Sequence, residues 1–156
     1  MQKKGAGSTN FYMNKPLVIL PSADGGSSAR QEILVVSTEK DTRILFETLL
    51  EIWGYKSRDC DNLEKALSIV KHERPKLILL DSGRPFDADL ESLRRFRKNQ
   101  YSKNIPIIVV SGFSQPNFRC LAMVLGADEF FVKPVDFDSL ENSLKRNIQK
   151  YTREAH

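Results

Sequence analysis

The sequence has 156 residues, of which 40% are hydrophobic and 28% are charged, and a formal net charge of +4. This length suits one domain with a short extension, and it is long enough to bury a core. No apolar run approaches the roughly 20 residues of a membrane-spanning helix, and the run Leu17–Leu20 is too short for the core of a signal peptide. We therefore predict a cytoplasmic protein that does not contact a membrane.

Basic and thiol side chains point to no particular ligand. The basic run Arg94–Lys98 lies on a predicted helix whose other face must be buried, and no nucleic-acid-binding motif accompanies it. We interpret the run as a solvated face, so direct nucleic-acid binding is not expected. Cys60 and Cys120 have neither the spacing of metal ligands nor that of a disulfide framework.

The chain begins with a segment unlike the rest. Residues 1–31 are rich in glycine, serine, alanine, asparagine and lysine, and we interpret them as a flexible arm that the fold does not need. The run Ile33–Val36 is then continuously apolar, as expected of a strand buried on both faces of a parallel sheet. A helix is predicted over Asp41–Trp53 and ends at Gly54.

The alternation of strand and helix continues to the end of the chain. Residues 55–60 are a short polar strand, and a helix capped by Asp61 or Asn62 ends before Pro75. The apolar strand Leu77–Leu80 runs directly into Asp81. The remaining predicted elements are a helix over 89–99, a buried strand over 105–110, a helix over 116–125, a strand over 129–132 and a helix over 136–151.

Five strands alternating with five helices predict a three-layer, doubly wound α/β domain with a five-stranded parallel sheet. We place this domain at residues 32–151, followed by a C-terminal tail over 152–156. In folds of this class the ligand site lies beyond the carboxyl ends of the strands.

Polar side chains follow four of the predicted strands. They are Ser37, Thr38 and Glu39 after the first strand, Asp81 after the third, Ser111 after the fourth and Lys133 after the fifth. In one crevice, Asp81 could act as a nucleophile toward a phosphoryl group. Lys133 and Ser111 could then bind the phosphoryl oxygens. Alternatively, Asp81 and Lys133 form an ion pair that only holds the crevice together.

Residues 33–147 resemble the receiver domains of two-component response regulators. The matching motifs are Leu77–Asp81 with Pro85 four residues later, Pro106–Gly112, and Leu125–Pro134. The resemblance implies the flavodoxin-like strand order 2-1-3-4-5, which the periodicity alone does not give.

The resemblance also implies a role for individual residues. Asp81 matches the phosphoacceptor, and Ser111 and Lys133 match the residues that bind the phosphoryl group. Phe130 matches the aromatic residue that moves inward when the switch hydroxyl turns, and Pro134 is expected to follow a cis peptide bond.

The expected metal site departs from the family pattern. The resemblance assigns Mg²⁺ to Asp81, to the backbone carbonyl of Gly83 and to an acidic pair after the first strand, but Ser37 and Thr38 occupy the positions of that pair. Glu39 could replace it, or could simply be a carboxylate in the first turn of a helix. Because Mg²⁺ prefers carboxylate oxygens and offsets charge in phosphoryl transfer, we expect weak Mg²⁺ binding and slow phosphorylation.

These features predict a receiver domain for phosphorelay signal transduction, a phosphoprotein that is not an enzyme. It would accept a phosphoryl group on Asp81 from a histidine kinase or a phosphotransfer protein. It would then signal to an effector protein, or to a second copy of itself, through the fourth helix, fifth strand and fifth helix. Met123 and Val124 are surplus apolar residues there, although scattered surface residues would look the same.

Two other functions are compatible with parts of the sequence. A pseudo-receiver would use the same surface to dock proteins without phosphorylation. A small enzyme or flavin-binding protein of similar topology is the weaker alternative, because the chain lacks a glycine-rich phosphate loop and a Ser-His-Asp set.

Overall fold

A parallel five-stranded sheet forms the centre of the computed structural model, which describes residues 32–83 and 86–154. Its strands are β1 (Glu32–Val36), β2 (Lys56–Cys60), β3 (Leu77–Ser82), β4 (Ile107–Ser111) and β5 (Glu129–Val132). They lie in the order β2-β1-β3-β4-β5, which confirms the predicted fold class and strand order. The predicted arm over residues 1–31, the motif residue Pro85 and the last two residues of the predicted tail lie outside the described residues.

Five helices connect and follow the strands. They are α1 (Lys40–Ile52), α2 (Leu63–Glu73), α3 (Phe86–Lys98), α4 (Pro116–Val124) and α5 (Phe137–Glu154). None of the helices in the described ranges is long and apolar enough to cross a bilayer. The last helix runs three residues into the predicted tail, because the residues after Tyr151 include no glycine or proline to stop it.

Each face of the sheet carries its own apolar layer, because successive side chains of a strand point to opposite faces. Leu34, Ile78 and Val109 pack with α2, α3 and α4 on one face. Ile33, Leu79 and Val110 pack with α1 and α5 on the other face, and all six side chains are fully or almost fully buried. The continuous apolar strands of the sequence are therefore explained by helices on both sides.

Two strand boundaries differ from the prediction by two residues. β4 begins at Ile107 and not at Ile105, because Pro106 has no N–H group to donate to the ladder. β3 continues through Asp81 and Ser82, which are paired with Val110 and Ser111 of β4. Asp81 thus belongs to the sheet rather than to the loop after it.

At the amino-terminal end of the strands, Arg97 connects α3 to the segments around it. Its guanidinium donates hydrogen bonds to the carbonyls of Gly126 (2.6 and 3.0 Å) and Ile105 (2.7 Å) and to the carboxylate of Asp128 (2.9 Å). Gly126 has a φ of +127°, and a Cβ atom there would lie 2.5 Å from Cγ of Arg97. The close approach of this side chain therefore requires glycine at position 126.

Candidate functional site

A buried carboxylate lies at the carboxyl end of the central strand, where the strand order reverses. The Asp81 side chain is 1% exposed, and the Ser37 hydroxyl donates a hydrogen bond of 2.7 Å to its Oδ2 atom. The Lys133 ammonium lies 2.5 Å from Oδ1, although this oxygen accepts no directed hydrogen bond from the described residues. Each Asp81 oxygen therefore has one partner, the Lys133 ammonium at Oδ1 and the Ser37 hydroxyl at Oδ2.

The sheet register brings these three side chains together. Val36 of β1 pairs with Leu80 of β3, so the next residues of the two strands, Ser37 and Asp81, lie side by side. The N–H of Lys133 donates to the carbonyl of Ser111 at 2.8 Å, which continues the β4–β5 ladder by one residue. The peptide bond between Lys133 and Pro134 is cis, as expected from the resemblance.

Ser111 is fully buried beside this site. It pairs with Ser82 rather than with Asp81. Its Oγ atom accepts the N–H of Phe113 at 2.9 Å, which anchors the loop between β4 and α4. The hydroxyl hydrogen is not used in that bond, so Ser111 can still donate to a group at the strand ends.

Sequence reasoning missed a second buried polar pair. The Ser82 hydroxyl donates to Oδ2 of Asp89 at 2.5 Å, and both residues are buried between β3 and α3. The sequence pattern predicts Ser82 in a loop and Asp89 only as the start of a helix. Extending the strand alternation two residues past Leu80 is the signal that would point Ser82 toward α3.

The donor set does not fit a tightly bound Mg²⁺ ion, which requires near-octahedral oxygen ligands. Among the described residues, no three histidine, cysteine, aspartate or glutamate side chains converge on one point. Thr38 and Glu39 are exposed, and the Glu39 side chain makes no capping bond to α1. Gly83 does lie close, since a Cβ atom on it would be 3.7 Å from Oδ2 of Asp81, but Ser37 already holds that oxygen.

The predicted switch aromatic is buried. Phe130 is 6% exposed and packs edge to face against Phe118, with 5.5 Å between the ring centroids. Phe118 packs in the same way against Phe113 at 5.6 Å, and the Arg119 guanidinium lies 5.9 Å from the Phe130 ring centre. Phe130 thus lies inward in this structure, and the movement that the resemblance implies stays a prediction. Phenylalanine has no polar atom that would favour a position in water.

The predicted partner surface is exposed and apolar. Only Phe118 and Ala122 of the nine residues of α4 are buried. Met123 is 39% exposed and Val124 is 80% exposed, and the neighbouring Leu121 is 44% exposed. The structure thus places Met123 and Val124 on the outside of α4, as the sequence suggested.

Comparison with known proteins identifies the family. Residues 33–145 match the model of the response regulator receiver domain. The chain is 31% identical over 118 residues to sporulation initiation phosphotransferase F of Bacillus subtilis, covering 76% of this chain and 94% of that protein. It is 28% identical over 118 residues to the phosphate regulon transcriptional regulatory protein PhoB of Pseudomonas aeruginosa, covering 76% of this chain. It is 32% identical over 121 residues to the probable transcriptional regulator ycf27 of Porphyridium aerugineum, covering 78% of this chain.

The coverage of these relatives differs. The chain spans 52% of the Pseudomonas protein and 49% of the Porphyridium protein, so it corresponds to about half of their length. Among solved structures, a CheY-like receiver domain protein from Methanospirillum hungatei superposes with a TM-score of 0.72 at 22% identity. That match covers 81% of this chain and 99% of the other, and it supports the fold.

Proposed function

Because this chain belongs to the response regulator receiver domain family, we propose that Asp81 accepts a phosphoryl group from a phosphohistidine. Receiver domains of two-component systems are phosphorylated on an aspartate and interact with histidine kinases or phosphotransfer proteins and with effectors. The observation that carries the proposal is the buried Asp81 carboxylate with Lys133 at one oxygen and Ser37 at the other.

We assign Oδ1 as the attacking oxygen, because Ser37 holds Oδ2 by a hydrogen bond and the partly exposed Lys133 side chain at Oδ1 can move to the phosphoryl oxygens. A bond forms between Oδ1 and phosphorus while the phosphorus–nitrogen bond breaks, and the leaving nitrogen keeps the bonding pair. The donor departs as neutral imidazole when its other ring nitrogen carries a proton. The Lys133 ammonium offsets charge on the phosphoryl oxygens, and the Ser111 hydroxyl donates to one of them.

The phosphoryl group remains covalently bound to the chain in this reaction. The chain is therefore a stoichiometric acceptor, and we propose that it is a signalling domain rather than an enzyme. Receiver domains typically bind Mg²⁺ in an acidic pocket. We propose that this chain binds Mg²⁺ weakly, because Ser37 and Thr38 supply no carboxylate and Glu39 is exposed.

We propose that the signal leaves through α4, β5 and α5 toward an effector or a second copy. The Ser111 oxygen accepts the N–H of Phe113, and the Phe113 ring contacts Phe118 of α4. A turn of the Ser111 hydroxyl would therefore pull on the loop at Phe113, which is packed against the base of α4. Met123 and Val124 lie on the outer side of the same helix, where a partner can sense its displacement.

Intact mass spectrometry after incubation with acetyl phosphate tests the acceptor. We expect the mass of one phosphoryl group to be added to the wild type and nothing to be added to the Asp81→Asn variant. Addition to both proteins would place the acceptor elsewhere. Addition to neither would favour the alternative of a docking module that works without phosphorylation, an alternative suggested by the loss of the acidic pair and the engagement of both Asp81 oxygens.

Self-association and partner binding test the output surface. Met123→Glu places a charge in the α4 surface, and we expect it to weaken association measured by sedimentation or pull-down. Ser68→Glu is the control, because it places the same charge on the exposed side of α2, outside the proposed surface. Unchanged association of Met123→Glu would remove this surface from the proposal.

A further inference from the structure

Ser37 not only replaces an acidic residue but also makes hydrogen bonds of its own to Asp81 and to the backbone. It is 2% exposed, and its hydroxyl hydrogen points to Oδ2 of Asp81 at 2.7 Å, while the carbonyl of Glu39 at 3.4 Å is the poorer acceptor. Its oxygen accepts the N–H of Glu39 at 3.0 Å. The hydroxyl is therefore fixed from both sides, and its single hydrogen is committed to the carboxylate.

The backbone of Ser37 is equally well held. Its N–H donates to the carbonyl of Cys60 at 3.1 Å, and its carbonyl accepts from Nη1 of Arg43 at 2.7 Å. Arg43 is in turn fixed by Asp59, whose carboxylate lies 2.8 Å from Nε. A side chain supported on this many sides can hold a neighbouring group in one orientation.

We propose that Ser37 is the positioning residue of the phosphoacceptor and orients Asp81 without a metal ion. The terminal torsion of an aspartate is broad, so a carboxylate at a strand end needs an external restraint to present one oxygen. Ser37 holds Oδ2, which leaves Oδ1, on the side of Lys133, to meet the incoming phosphorus. The proposal deepens the phosphoacceptor function and rests on it.

The same hydrogen bond explains why a metal is not required to hold Asp81. An aspartate at position 37 would put a second carboxylate next to Asp81, and two adjacent carboxylates need a cation between them. With serine, the Asp81 carboxylate has the Lys133 ammonium as its ion-pair partner among the described residues. The Ser37→Asp variant should therefore convert a metal-independent site into a metal-dependent one.

Phosphorylation rates with acetyl phosphate, with EDTA and with Mg²⁺, test the proposal. In this reaction Oδ1 bonds to phosphorus and acetate leaves with the electron pair of the broken phosphorus–oxygen bond. We expect the wild-type rate to change less than about twofold between the two conditions. Ser37→Ala should be roughly tenfold slower in both, since orientation is lost, while Ser37→Thr keeps the hydroxyl and should restore the rate.

Thr38→Ala is the matched control, because it removes a hydroxyl from the next, exposed residue. We expect its rate to equal that of the wild type. A wild-type rate that rises about tenfold or more with Mg²⁺ would overturn metal independence. A Ser37→Ala rate equal to that of the wild type would overturn positioning.

Two measurements test the positioning role of Ser37 even if no phosphorylation occurs. A double-mutant cycle of Ser37→Ala and Asp81→Ala, read as the urea midpoint, should be clearly non-additive if the hydroxyl holds the carboxylate. Amide NMR during Mg²⁺ titration should show saturable shifts in Ser37→Asp and not in the wild type. If the wild type takes no phosphoryl group but both results hold, the acceptor function fails and the positioning stands. Additive effects, or equal Mg²⁺ binding by both proteins, would refute it.

Discussion

Replacing Lys133 with methionine tests the charge balance of the site. The substitution keeps an unbranched apolar side chain and removes the ammonium next to Asp81, whose side chain is 1% exposed. Removing one partner of a buried ion pair costs about 3–5 kcal/mol, because the other charge stays buried without compensation. Ser37 still donates one hydrogen bond to the carboxylate, worth about 1.5–3 kcal/mol in such pairs, so we expect the free energy of unfolding to fall by about 3 kcal/mol, the lower limit.

Replacing the other partner of the ion pair should lower the free energy of unfolding much less. In Asp81→Asn the remaining ammonium is on a side chain that is 35% exposed, so it can turn toward water. The Ser37 hydroxyl can also still donate to the amide oxygen. We expect the free energy of unfolding to fall by less than about 1 kcal/mol, as for exposed charges that lose a partner. The difference in burial between the two partners, and not the strength of their attraction, decides this asymmetry.

Urea unfolding at pH 7, followed by circular dichroism, measures both losses. Lys145→Met is the control, because Lys145 and Glu141 form an exposed ion pair at 3.5 Å that should contribute less than about 0.5 kcal/mol. Adding Asp81→Asn to Lys133→Met should recover stability, since it removes the uncompensated charge. A Lys133→Met loss no larger than that of Asp81→Asn would refute the reasoning.

Two further predictions concern the rest of the domain. Arg97→Ala removes every hydrogen bond that ties α3 to the carbonyls of Gly126 and Ile105, and we expect urea unfolding to show a loss of about 3–5 kcal/mol. Replacing the exposed Arg94 of the same helix with alanine should lower the free energy of unfolding by less than about 0.5 kcal/mol. Burial raises the pKa of the Cys60 thiol to about 11, so iodoacetamide at pH 8 should modify only the exposed Cys120 until the protein unfolds, as counted by intact mass.

The layered fold could be predicted because the sequence pattern and the sheet period agree. Ile33–Val36 and Leu77–Leu80 are apolar at every position, which only a strand covered on both faces explains. The ends of elements were less accurate. The prediction counted Ile105 into β4 for its apolar side chain, but the backbone of Pro106 decides where the ladder starts.

The sequence predicted which residues form the site, but it did not predict all of the contacts between them. Asp81 and Lys133 could be paired because both follow strands whose carboxyl ends meet at one edge of the sheet. Residue type alone indicated that Ser37 removes a metal ligand, whereas its hydrogen bond to Asp81 depends on the β1–β3 register and on a rotamer. The Ser82–Asp89 pair likewise could not be predicted, because it forms only where β3 extends two residues beyond its apolar run.

The sequence identifies Phe130 as the candidate switch residue, but packing determines whether its side chain points inward or outward. Burying a phenylalanine side chain contributes about 1.5–3 kcal/mol, and an edge-to-face contact like that with Phe118 adds about 0.5–1.5 kcal/mol. An outward Phe130 would then be populated below about 5%. A ligand shifts a conformational equilibrium only where it distinguishes two accessible states, and an inward state that is already nearly full leaves little to shift. We therefore expect the element that responds to a phosphoryl group on Asp81 to lie nearer to it, at the hydrogen bond between Ser111 and Phe113.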